Sequence, residues 1–199
     1  MSDEIKITAE PQSIPTVCRF TVDRPVYPNQ AFFFGSSEVA AGSPLAERLI
    51  QIDGVAAVLI SHQQITVTKR NSEPWQVIGK QVGAAIRAHM ATGLQAVNPE
   101  LREQLPSEDV LRLRVQDVIE QEVMPAVRSH GGSIRLLDVK GNTIFLQMGG
   151  GCQGCSSAES TLKQGVEIAI RRAVPEVGDI LDTTDHAAGR NPYYTAHGH

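Results

Sequence analysis

No run of five basic residues occurs anywhere in the chain, and the formal net charge is −4. Such a balance offers no broad cationic face, so a nucleic-acid or anionic-membrane surface is disfavoured as a partner. Long apolar runs are missing as well. The longest, such as VAAVLI at 55–60, falls far short of the roughly 20 residues a bilayer-crossing helix needs. The opening MSDEIKITAE is acidic and lacks an apolar core, so it does not read as a secretory leader. Cysteine is scarce, with one residue at 18 and a pair at 152 and 155. Three cysteines in a leaderless chain point to a reducing cytoplasm, where a close pair is reactive or metal-binding rather than a structural disulfide.

What remains is the composition of a globular protein, 41% hydrophobic and 20% charged over 199 residues. That length accommodates one large domain or two small ones. The stretch VNPELREQLPSE at 97–108 carries two prolines, several charges and no apolar period, the composition of a linker. It divides the chain into an expected first domain (1–96), a second domain (109–185) and a flexible tail (186–199).

In the first domain, CRFTV at 18–22 reads as a strand. Ser43 and Pro44 open a helix with Leu45, Leu49 and Ile52 on one face, and Asp53-Gly54 stops it. Residues 55–69 read as two strands with a turn near His62-Gln63, the second alternating Ile65 and Val67 inward with Thr66 and Thr68 outward. A capped helix follows from Ser72, burying Trp75, Ile78, Val82, Ala85, Ile86 and Met90. The Phe32-Phe33-Phe34 run reads as core or as a lid over it, with a partner-binding patch as the other use.

The second domain repeats the order. A long helix over 108–130 turns Leu111, Val115, Val118, Ile119, Val123 and Val127 inward, ends at Gly131-Gly132, and should kink or tighten at Pro125. A hairpin follows, with Gly141-Asn142 as its turn. The next helix buries Ala158, Leu162, Val166, Ala169, Ile170 and Ala173, and DILDTTD at 179–185 closes as a strand. The fold class is therefore α+β, two small domains each with a helix-strand-strand-helix core joined by a polar linker.

The chemistry lies in GGGCQGCSSAE at 149–159. Ser156 and Glu159 have the spacing of a capping box, which puts Cys152 and Cys155 at the start of a helix. Free amide groups and the positive end of the helix dipole there favour thiolate over thiol. Gly149, Gly150, Gly151 and Gly154 expose further amides to a thiolate or bridging sulfide and let a second chain approach. Three chemistries suit such a pair: a redox dithiol, half of a zinc site, or half of an iron–sulfur site. No aromatic residue stands just before Cys152, and the element order is not a thioredoxin's, which weighs against the redox reading.

Either metal reading needs four ligands. Cys18 is remote and reads as a small hydrophobe in a strand. His130 suits a helix end, and His186, His197 and His199 fall in or near the tail. The corresponding loop of the first domain, KRNSEP, has no cysteine. The missing pair is expected from another copy of the chain.

These residues resemble a known family. The segment from Val123 to Val177, with its Gly131-Gly132 helix end, strand pair and GGGCQGCSSAESTLKQGVE, is similar to the carboxy-terminal domain of NifU found in Nfu iron–sulfur proteins. SPLAERLIQIDGVAAVLISHQQITVTK with WQVIGKQVGAAIRAHM resembles the Nfu amino-terminal domain. Residues 1–42 depart from that family's usual opening. The resemblance implies a non-enzymatic scaffold or carrier. It would hold a [4Fe–4S] cluster, alternatively [2Fe–2S], between the Cys152/Cys155 pairs of a homodimer. It would receive the cluster from an upstream assembly scaffold and deliver it to apo-proteins, with the amino-terminal domain aiding client recognition.

Overall fold

The computed structural model describes residues 4–129, 131–150 and 156–183, leaving out the side chains of 29, 150 and 156–161. The chain forms two compact units, Met1–Pro106 and Ser107–His199. Helices and sheets occur in both, an α+β fold.

The first unit runs β1 (Ile7–Pro11), β2 (Val17–Val22), β3 (Tyr27–Phe34), α1 (Ser37–Ala40), α2 (Pro44–Ile50), β4 (Val55–His62), β5 (Gln64–Lys69), α3 (Trp75–Ala91) and α4 (Pro99–Glu103). Its strands form one antiparallel sheet in the order β1-β2-β5-β4-β3. The expected helix-strand-strand-helix core is present as α2-β4-β5-α3, and three earlier strands extend it on both sides. Alternation along β2 and β5 buries Cys18, Phe20, Val22, Ile65 and Val67 on one face. Leu45 and Leu49 of α2 and Ile78, Val82 and Ile86 of α3 complete that core.

Local chemistry explains several boundaries. Ser43 caps α2 by accepting from the Ala46 amide at 3.2 Å, and Pro44 takes the first helical position. The helix stops at Ile50, three residues ahead of Asp53. The β4–β5 turn falls at His62-Gln63, with His62 at a φ of 51°. Helix α3 differs from expectation at its start: Pro74 occupies the cap position and no side chain caps it. Phe32 and Phe34 are buried in β3 against β4, so the aromatic run belongs to the core.

The boundary between the two units falls within the 97–108 segment, between Pro106 and Ser107, and much of the segment packs on the first unit. Ala96 and Val97 are buried in the first core, and Leu101 and Leu105 pack against it. The Asn98 amide donates to the Gly42 carbonyl at 2.9 Å, and the Ser43 hydroxyl donates to the Ala96 carbonyl at 2.7 Å. Pro99 starts α4 rather than breaking structure, so most of the expected linker docks on the first unit.

The second unit runs α5 (Glu108–Val118), a π-helical turn (Ile119–Val123), α6 (Met124–Ser129), β6 (Gly132–Lys140), β7 (Thr143–Gly150), α7 (Ser156–Ala173) and β8 (Ile180–Asp182). All six expected inward residues of the long helix are buried. The helix widens before Pro125 instead of tightening. Proline lacks the amide that would serve the Gln121 carbonyl, and the Met124 amide reaches back five residues to Ile119. The sheet order is β6-β7-β8, with β7 and β8 parallel. In the β6–β7 turn only Gly141 has positive φ, 58°, the type II′ pattern. Helix α7 buries Val166 and Ile170 and packs Leu162, Ala169 and Ala173 against the same core. Ala158 lies outside the described side chains.

Candidate metal centre

Cys152 and Cys155 lie outside the described residues, as do Gly151, Gly154, His130 and the tail histidines. Their flanks are described. Strand β7 ends at Gly150, whose ladder partner is Gly132, and α7 begins at Ser156. Gly149 pairs with Ser133, and a Cβ at Gly149 would stand 3.0 Å from the Ser133 hydroxyl. At least this glycine therefore serves the hairpin itself, a role the sequence alone did not separate from sulfide contact. Ser156, expected as the cap, is instead the first residue of α7.

The direction of α7 matters for the thiols that precede it. Eighteen residues of aligned peptide dipoles place partial positive charge at the Ser156 end. An anionic sulfur in the preceding residues gains from that field, which is the physical ground for thiolate character. The far end of α7 is held separately. Arg171 donates to the Val177 and Gly178 carbonyls at 3.0 and 2.7 Å and to Glu167 at 2.9 Å. Lys163 bridges to Asp182 of β8 at 2.8 Å. These contacts fix the helix against the sheet and so fix where its N-terminus points.

The structure takes Cys18 out of the candidate ligand set. It is 1% exposed in β2, paired with Val67 of β5 and Pro11 of β1, within the core of the first unit. Burial pushes its thiol above the ordinary value, the reverse of what a ligand or nucleophile needs. Among the described residues, no group of three His, Cys, Asp or Glu side chains is placed to hold a metal ion.

One buried group escaped the sequence reading. His89 on α3 is fully buried, and neither ring nitrogen has a hydrogen-bond partner. Burial, then the nearby Arg48 charge, lower its basicity, while the Leu94 backbone pulls weakly the other way without reaching hydrogen-bond geometry. Its position on the Ile78-Val82-Ile86 face was the available signal, since His89 continues that face. It is a core imidazole of the first unit.

Two family models match the chain. One, described as the scaffold protein Nfu/NifU N terminal, matches residues 7–93. The other, the NifU-like domain, matches residues 115–181 and includes both cysteines of the pair. A Drosophila persimilis protein named "NFU1 iron-sulfur cluster scaffold homolog, mitochondrial" is 31% identical over 159 residues, covering 77% of this chain and 56% of that protein. The "Fe/S biogenesis protein NfuA" of Xanthomonas euvesicatoria pv. vesicatoria is 36% identical over 124 residues, covering 61% of this chain and 62% of that protein. The chain thus spans little more than half the length of its mitochondrial-type relatives. The solution structure of a NifU-like protein from Saccharomyces cerevisiae is 15% identical, with a TM-score of 0.43 over 49% of this chain and 89% of that one. With its first unit matched by the Nfu/NifU amino-terminal model and its second by the NifU-like model, the chain belongs to the Nfu-type scaffold family.

Proposed function

We propose that the protein is a carrier of iron–sulfur clusters, non-enzymatic, with Cys152 and Cys155 as its only ligands. The cluster is cargo: [4Fe–4S], or alternatively [2Fe–2S], held between the cysteine pairs of two protomers. An upstream assembly scaffold supplies it and apo-proteins receive it. The reading takes the reducing cytoplasm as its setting, on the cysteine usage. No helix among the described residues is long and apolar enough to cross a membrane.

The observation that carries the reading is the donor set. Two soft thiolate donors sit in the residues directly before α7, within the NifU-like match, and the third cysteine is sealed in the core of the other unit. Cluster iron prefers thiolate, and four thiolates complete such a site. One chain supplies two, so a second copy supplies the rest. A site with two ligands per chain also favours release, because client thiolates can replace one pair at a time. The names of the relatives, a cluster scaffold and a biogenesis protein, agree with this use.

Anaerobic reconstitution with iron and sulfide tests the assignment. Cys152→Ser and Cys155→Ser should each abolish the visible chromophore, and Cys18→Ser should leave it intact. A colourless wild type that retains stoichiometric zinc would replace the cluster with a zinc bridge. A colourless monomer that turns over disulfides would make the pair a redox dithiol. Loss of the chromophore in Cys18→Ser, with the first unit still folded, would break the ligand assignment.

A further inference from the structure

Among the described residues of the second unit there are six arginines, and four face a carboxylate. Arg112 pairs with Asp138, Arg114 with Glu176, Arg171 with Glu167 and Arg172 with Glu122. The side chains of Arg128 and Arg135 make no ion pair or hydrogen bond among the described residues. Both are exposed, and both line one groove of about 420 Å³ between α6 and the ends of β6 and β7. Met124, Ser133, Gln147 and Met148 also line it. Two like charges beside one groove repel, so this pairing does nothing for the fold. Each of the other four described arginines of the unit has a carboxylate partner.

The lining specifies an occupant. A guanidinium presents a planar fork of donors that matches a carboxylate in bidentate fashion, and two forks fit two carboxylates. Methionine side chains adapt to apolar groups of varied shape. Strand β6 is an edge of its sheet, so its outer backbone groups are open to an extended segment. The volume lies in the range of pockets that take a few side chains. Gly149 also lines the groove, and Cys152 follows it by three residues in sequence.

We propose that this groove docks an acidic, extended segment of the apo-protein that receives the cluster. Arg128 and Arg135 hold its carboxylates, and an apolar side chain lies between Met124 and Met148. The proposal rests on the carrier reading only for the identity of the partner; the chemistry of the groove stands without it. Docking there sets the client at Gly149, three residues in sequence before Cys152.

The test uses the full chain without cluster, labelled at methionine methyl groups, and two synthetic peptides. One is acetyl-Gly-Glu-Leu-Glu-Gly-amide, and the other carries glutamine for both glutamates. The acidic peptide should shift Met124 and Met148 and leave Met90 of the first unit unmoved. The glutamine peptide should bind about tenfold more weakly, and added salt should weaken the acidic one. Arg128→Lys with Arg135→Lys should lose about fivefold, since charge remains and the fork is gone. Arg128→Gln with Arg135→Gln should abolish the response. Equal response to both peptides, shifts at Met90 alone, or no saturable shift by about 5 mM peptide would overturn the proposal. Shifts at Met124 and Met148 that follow protein concentration without peptide would make a second copy the occupant and overturn it too. So would a glutamine variant that loses iron to a chelator faster with no peptide present, because the arginines would then serve the cargo. The titration needs no cluster, so its failure leaves the ligand assignment standing. Failed reconstitution, in turn, leaves the titration readable.

Discussion

Replacing His89 with leucine should stabilise the first unit at neutral pH and remove part of its acid sensitivity. The ring is 0% exposed and neither nitrogen is hydrogen-bonded. An orphaned buried polar group costs about 1–3 kcal/mol, and leucine of similar volume carries none. A gain of about 1–3 kcal/mol is therefore expected near neutral pH, reduced by any misfit of the new side chain. The pH dependence follows from linkage. Burial, then Arg48, hold the His89 pKa below its ordinary value. The unfolded chain therefore takes up the proton first. Stability is full above about pH 6.5 and falls as pH drops toward the folded-state value, by up to about 1.4 kcal/mol per pH unit. The leucine variant lacks that slope. Trp75 is the only tryptophan, and its indole donates to the Pro15 carbonyl at 3.0 Å, so its fluorescence during urea unfolding reports the first unit. Curves for both proteins near pH 7.5 and pH 5.5 decide the matter. The same loss of stability on acidification in both would refute the account of His89.

Alkylation of the native, cluster-free protein should modify Cys152 and Cys155 and spare Cys18, which reacts only after denaturation; peptide mass mapping reads this, and rapid native labelling of Cys18 would contradict its burial. Ile170→Ala removes a side chain that is 0% exposed beneath α7 and should cost about 2–5 kcal/mol, read by far-UV circular dichroism. A cost near zero there would mean that α7 is not anchored as described.

The elements that the sequence announced share a physical trait: each carries its signal within itself. Helix α2 has its cap and first-position proline, β5 alternates over its whole length, and the long helix before Gly131 keeps its apolar period across the π turn. Strands β1 and β3 do not. β1 is a mostly exposed edge strand ending in proline, and β3 shifts register between Tyr27 and Ala31, which hides its period. The docked segment after Ala96 was obscured by composition. Its two prolines and charges suit a linker, yet its apolar residues at 97, 101 and 105 find the first core. At the site, the spacing of Cys152 and Cys155 was legible at once, because metal and thiol chemistry depend on local spacing. The unpaired state of Arg128 and Arg135 was not, because it depends on which carboxylates the fold brings to their neighbours.

The central claim is that one cluster is shared by two chains through Cys152 and Cys155. Native mass spectrometry of the anaerobically reconstituted full chain tests it most directly, since it counts chains, iron and sulfide in one particle. The account predicts a dimer carrying a single cluster, and no such species from Cys152→Ser or Cys155→Ser. A single chain holding a complete cluster by itself would contradict it.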